Sequence, residues 1–193
     1  AGSSISGGQV CLDLNGKTVT VTKEGARIYM LGGSGTLSIM DSVGGGTLIP
    51  ANAGSTGSVN TGMVVYVNSY DATLNLYSGT LDASNCTAKY GHGVRIKTGT
   101  FNMYGGEILG GFSDSGPGST CVSANGTFNM YGGKLVGGKC TSTQYTNPIG
   151  GAVVRVMGVT TIYDGEIVGG ESAVNGGLIR VSGDIYGLGK LVL

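Results

Sequence analysis

Charge is scarce in this chain. Eleven basic and eleven acidic residues cancel to a net charge of zero over 193 positions. Nucleic acid selects basic faces, and anionic membranes attract clusters of lysine and arginine, so neither is an expected partner. Long apolar runs are missing as well. None approaches the roughly 20 residues needed to cross a bilayer, so no membrane insertion is expected. His92 is the only histidine, and Cys11, Cys86, Cys121 and Cys140 show no C-x-x-C spacing. Zinc centres are built from such pairs, so no metal and no cofactor are expected. The chain opens on Ala1 without a signal peptide, which suggests an excised piece of a larger precursor.

Glycine is what the chain has in excess. Its 40 glycines are about three times the usual share of roughly 7%. A flexible linker would explain that number, but hydrophobic residues make up 40% of the sequence. Disordered chains are poor in such residues and richer in charge. The glycines must therefore punctuate a packed fold.

Internal repetition explains the punctuation. GTFNMYGGEILGG (Gly99 to Gly111) and GTFNMYGGKLVGG (Gly126 to Gly138) match nearly letter for letter, 27 residues apart. Weaker copies are ATLNLYSGTLDAS from Ala72 and VTTIYDGEIVGG from Val159. GTLSIMDSVGGGTLIP from Gly35 and VCLDLNGKTVT from Val10 fit more loosely, and GDIYGLGKLVL from Gly183 is shortened. Each copy alternates apolar and polar residues, turns at Tyr-Gly-Gly, and continues into a second short strand ending in Gly-Gly. A variable loop then leads to a third strand such as Val94-Arg95-Ile96 or Val154-Arg155-Val156. Period-two alternation marks half-buried strands, and paired glycines permit sharp corners. A unit this small cannot bury its own apolar face, so the copies must stack.

The predicted fold is all-β: a single-stranded right-handed parallel β-helix, a solenoid of about seven turns of roughly 27 residues with three short strands each. One domain spans 1–193, with an N-terminal turn at about 9–31 and regular repeats over 62–193. Stacking predicts inward columns. The first is Leu12, Leu37, Leu74, Phe101, Phe128 and Thr160. The second is Leu14, Ile39, Leu76, Met103, Met130 and Ile162. The third is Leu48, Leu81, Ile108, Leu135, Ile167 and Leu191. Outward, Thr80, Glu107, Lys134, Glu166 and Lys190 alternate in sign, as neighbours in one column should. Asn75, Asn102 and Asn129 form an amide ladder, and Tyr77, Tyr104, Tyr131 and Tyr163 a stripe at the first corner.

LDLNGKTVT (Leu12 to Thr20) followed by TFNMYGGEILGG units resembles the β-helical repeat regions of secreted or cell-surface proteins of gut-type anaerobic bacteria, within the pectate-lyase-like superfamily. The resemblance implies an extracellular or cell-surface location and a stalk, adhesin or glycan-contacting role. It carries no catalytic residue across, because the clustered acids of the lyases have no match here.

The acids do not converge, so no catalytic residue is assigned and the chain is read as non-enzymatic, with a polysaccharide lyase as the remote alternative. Loops at 83–93, 110–120 and 137–151 all follow the second strand of their copies and should emerge on one side. They carry Tyr90, His92, Phe112, Asp114, Gln144 and Tyr145, a candidate contact set for a glycan or a surface protein. The plainer reading is that these loops only cover the strands, with His92 a solvated turn residue. Likewise the tyrosine stripe is read as shielding its corner rather than stacking on sugars. Arg95, Arg155 and Arg180 share an outward column interrupted by Ser123.

Cys86 and Cys140 are expected at equivalent positions two levels apart, too distant for a bridge. Cys121 is placed in the column of Val94 as a buried thiol, and at most one disulfide is expected, Cys121–Cys140 or Cys86–Cys121. Asn85-Cys86-Thr87 and Asn125-Gly126-Thr127 are glycosylation sequons that matter only in a eukaryotic secretory host. Two functional classes follow: a structural or adhesive surface module, and a filament subunit that associates end to end through unpaired strand edges.

Overall fold

Alternating Val, Ile, Leu and Phe with Thr, Asn and Ser makes strands with one apolar face, and every strand pairing among the described residues is parallel. The computed structural model describes residues 3–20, 29–50, 63–87, 92–113, 121–141, 152–172, 177–181 and 190–193. Among these residues every regular element is a strand, so the fold is all-β.

The strands fall into three parallel sheets. The largest contains two ladders. The first runs through Ser3–Ile5, Tyr29–Leu31, Val65–Leu76, Val94–Met103, Val122–Ala124, Ala152–Val156 and Gly177–Val181. The other joins Gln9–Asp13, Thr36–Met40, the later halves of Val65–Leu76 and Val94–Met103, then Thr127–Met130, Val159–Ile162 and Lys190–Val192. The two long strands belong to both ladders and weld them into one sheet. A second sheet stacks Thr18–Thr20, Thr47–Ile49, Thr80–Asp82, Glu107–Leu109, Lys134–Val136 and Glu166–Val168. The third pairs Phe112–Ser113, Lys139–Cys140 and Glu171–Ser172. Each copy thus contributes to both ladders of the large sheet in the same order, and pairs only with the copies before and after it.

The register is that of the repeat. Phe101 pairs with Phe128 and Met103 with Met130, and Ile108 pairs with Leu135. All six side chains are fully buried. The two phenyl rings stack at 5.1 Å between centroids and 15° between planes. Burial of such columns is worth about 25 cal/mol per Å² of apolar surface removed from water. Thr160 follows Phe128 in this column, and its buried hydroxyl has no hydrogen-bond partner.

Outward columns follow the same register. The Asn129 amide donates to Asn102 at 2.9 Å, and Asn102 to Asn75 at 3.0 Å. Tyr77, Tyr104, Tyr131 and Tyr163 stack with centroids 4.8–5.0 Å apart and planes within 8°. Their faces therefore cover one another. Thr80, Glu107, Lys134 and Glu166 are consecutive neighbours, and Lys134 meets Glu166 at 3.3 Å. Arg95, Ser123, Arg155 and Arg180 also follow one another as expected.

Four expectations of register need correction. In the first copy Val10, not Leu12, pairs with Leu37, and Leu12 pairs with Ile39. Leu14 has left the strand and enters a corner. Leucines at alternate positions made either register equally apolar, and the corner decided it. In the last copy Leu191 pairs with Thr160 and Lys190 with Val159, so neither belongs to the second sheet. Val19 instead starts the column of Leu48. Thirdly, Val122 pairs with Val94, which moves Cys121 one place earlier. Finally, Thr87 bridges Phe112 while Cys140 pairs with Ser113, so Cys86 and Cys140 are out of step by two residues.

Candidate functional site

The side expected to carry the contact loops begins in order. Residues 110–120 and 137–151 were expected to be loops, yet each opens with a paired strand. Phe112 lies beside Lys139, and Lys139 beside Glu171. Lys139 and Glu171 form an ion pair at 2.7 Å, which holds the Glu171 carboxyl below its usual range. Both side chains are more than half exposed, so the pair adds little to stability.

Gly110 and Gly111, Gly137 and Gly138, and Gly169 and Gly170 lie level with one another and floor a shallow groove of about 390 Å³. Phe112 stands half-buried in its wall. The groove offers an aromatic side chain and a compensated charge pair. Such a set can hold a neutral polar ligand.

Of the other candidate contacts, Tyr90, Asp114, Gln144 and Tyr145 lie outside the described residues. His92 is described and corrects an expectation: it is 1% exposed. The cause is local. The carbonyl of Gly93 accepts the N–H groups of Val64 and Val65, at 3.0 and 3.3 Å. The backbone is therefore already in the wall of the ladder at that point, and His92 enters the interior rather than solvent. Of the two described candidates, Phe112 is the one that reaches an open surface.

The acids serve the backbone. N–H groups of Gly16 and Gly46 donate to the Asp41 carboxylate, both at 2.7 Å. Those of Asn15 and Ser42 donate to Asp13 at 2.9 and 3.0 Å. Bonds from Gly16 and Gly46 lower the Asp41 carboxyl from its ordinary value, and bonds from Ser42 and Asn15 do so for Asp13. An ionised carboxylate accepts hydrogen bonds and gives none, so both residues hold corners together. Among the described residues no group of three or more His, Cys, Asp or Glu side chains could hold a metal ion.

No disulfide joins any of the four cysteines. Cys121 is buried beside the Val136 carbonyl, to which its thiol donates at 2.7 Å, and burial pushes that thiol up to about 12. A thiol that does not ionise is a poor nucleophile. Among the described residues, no helix is long and apolar enough to cross a membrane. Comparison with known proteins gives no matching family model, no matching curated protein and no matching solved structure.

Proposed function

We propose that the chain is a non-catalytic extracellular module whose three sheets are the faces of one right-handed parallel β-helix. The observation that carries this reading is the invariant order of pairing: each copy adds to both ladders of the large sheet, always parallel, in the register of the repeat. Parallel strands joined by crossovers are right-handed in about 98% of cases. A coil of this kind makes a stiff rod whose repeats encode length and shape, not chemistry. Such a rod suits a stalk or adhesin, in keeping with the resemblance to β-helical repeat regions of bacterial surface proteins. Contact with a glycan or a surface protein is assigned to the side that bears Phe112.

The reading is tested by displaying the chain on a cell or bead surface. Adhesion to immobilised glycans and surface proteins is then scored, with lyase product formation followed in parallel on acidic polysaccharides. Adhesion that falls in Phe112→Ala, without product formation, supports the proposal. Unsaturated product above the background of a denatured sample overturns it.

A second reading is end-to-end self-association. In its favour, the outermost described strands pair on one side only, and such edges template further strands. Light scattering of the purified chain separates the two: monodisperse monomer removes the filament, and growth with concentration supports it.

A further inference from the structure

A second groove lies at another corner of the molecule, between the two ladders of the large sheet. It encloses about 530 Å³, within the range of about 300–1,000 Å³ typical of small-molecule sites. Its origin is an insertion. Asn68 pairs with Thr98 and Thr73 with Thr100, so four residues, Ser69 to Ala72, stand opposite the single residue Gly99. The surplus backbone bulges outward and carries Tyr70, whose side chain is 85% exposed. The next copies have no such bulge and pass the same corner at Gly126 and Gly158. A raised aromatic wall therefore stands beside a flat glycine floor.

The chemistry of the rim is specific. Thr100 and Thr127 are directly paired neighbours, placing two hydroxyls one strand spacing apart, about 4.8 Å. Asn125 adds an exposed amide and Lys97 an exposed ammonium group. Tyr70 differs from the four-tyrosine stripe in one decisive respect. Stripe rings cover each other's faces at 4.8–5.0 Å, whereas Tyr70 stands largely in solvent.

We propose that this groove binds a linear glycan, with a pyranose ring seated on Tyr70 and its hydroxyls held by Thr100, Thr127 and Asn125. The apolar C–H face of a pyranose matches an aromatic face, and its rim of hydroxyls matches hydroxyl and amide side chains. Hydroxyls repeated along the floor favour an extended chain over a single sugar. Neutral and uronate chains share this chemistry, and Lys97 distinguishes them, since its charge helps only the acidic one. The site is separate from Phe112 and does not depend on the loops of that side.

Titration calorimetry of the whole chain with neutral oligosaccharides (cello-, chito- and manno-) and with oligouronates tests the proposal. Expected is saturable binding of at least one series. Tyr70→Ala should weaken it about tenfold or more, since a stacked aromatic contact is worth roughly a factor of ten. The largely exposed Tyr70 can be replaced without opening the core. A double variant, Asn125→Ala with Thr127→Val, should weaken binding independently of the ring, while Phe112→Ala should leave this site unchanged. Lys97→Gln should lower affinity for uronates and leave that for neutral chains intact. Absence of saturable binding across the panel, or wild-type affinity in Tyr70→Ala, overturns the proposal. Loss in Phe112→Ala alone would move the glycan to the other groove and overturn it equally.

Discussion

Two kinds of corner solve the same geometric problem in this protein. In the central copies the chain turns at Tyr104-Gly105-Gly106 and Tyr131-Gly132-Gly133. The second glycine of each pair has positive φ, 80° at Gly106 and 92° at Gly133. A side chain at Gly105 would collide with the Tyr77 carbonyl oxygen. These corners are held by neighbours of their own kind: rings stack on rings, and backbone lies on backbone. The corners of the first two copies have no such neighbours. At Leu14-Asn15-Gly16-Lys17 both central residues have positive φ, 49° and 68°, and the Lys17 N–H donates to the Leu14 carbonyl at 2.9 Å. Asn-Gly usually closes an antiparallel hairpin. Here it joins strands of two different parallel sheets. Asp41 secures the arrangement by tying Gly16 to Gly46 across two copies. Repetition makes a corner self-supporting, and where it weakens, a buried carboxylate takes over.

The contrast can be broken most forcefully beneath the repeated corner. Phe128→Ala removes one of two stacked rings from a fully buried column, and should cost about 3–5 kcal/mol in a denaturant titration. A loss below about 1 kcal/mol would mean that the central copies do not depend on matched side chains.

Gly133→Val comes next. It forces a β-branched residue into positive φ and sets its Cβ 2.6 Å from Met103 and 2.8 Å from the Gly106 carbonyl oxygen. The backbone strain alone is worth about 1–3 kcal/mol, read as a lowered denaturation midpoint.

Asp41→Asn probes the other corner and has a pH signature. The Asp41 carboxyl titrates below its unfolded value when folded. Its stabilisation is therefore fully present above the ordinary carboxyl range near 3.8, and is lost as pH falls through the lower folded value. The variant should be less stable at neutral pH and flatter in its acid limb, as followed by circular dichroism. An unchanged acid limb would show that Asp41 does not hold the corner.

The smallest effect is expected from Lys134→Glu, which sets three carboxylates in a row between Glu107 and Glu166. The native pair is 40% and 62% exposed, so the loss should be about 1 kcal/mol or less. It should shrink further in high salt.

Most of the central architecture was legible because near-identical copies fix their own register. Once GTFNMYGG is laid over itself, Phe101 must meet Phe128, and Asn75, Asn102 and Asn129 must line up. Legibility failed where that redundancy ran out. Leu12 and Leu14 suit the core equally, so only the three-dimensional position of the corner could decide between them. Lys190-Leu191-Val192 has the alternation of either sheet and joined the unexpected one. His92, between two glycines, reads as a surface turn, because no pattern in the letters signals that the Gly93 carbonyl is engaged by Val64 and Val65. Of the two described candidate contacts, Phe112 is the one on an open surface. Tyr70 has no counterpart in the repeat, and its signal is the extra residues between Asn68 and Thr73: an insertion in a strict repeat must leave the wall.

The asparagine file has a direction. Asn129 gives to Asn102, Asn102 to Asn75, and Asn75 to the Ser38 hydroxyl at 3.4 Å. Every amide in it is oriented alike, and each copy consults only its two neighbours. A tandem duplication of one 27-residue period would therefore slot between Asn102 and Asn129 without reversing a single donor, whereas inserting one residue within a strand would turn the side chains beyond it to the opposite face. Length is the property such a chain can change by simple gene slippage, one period at a time.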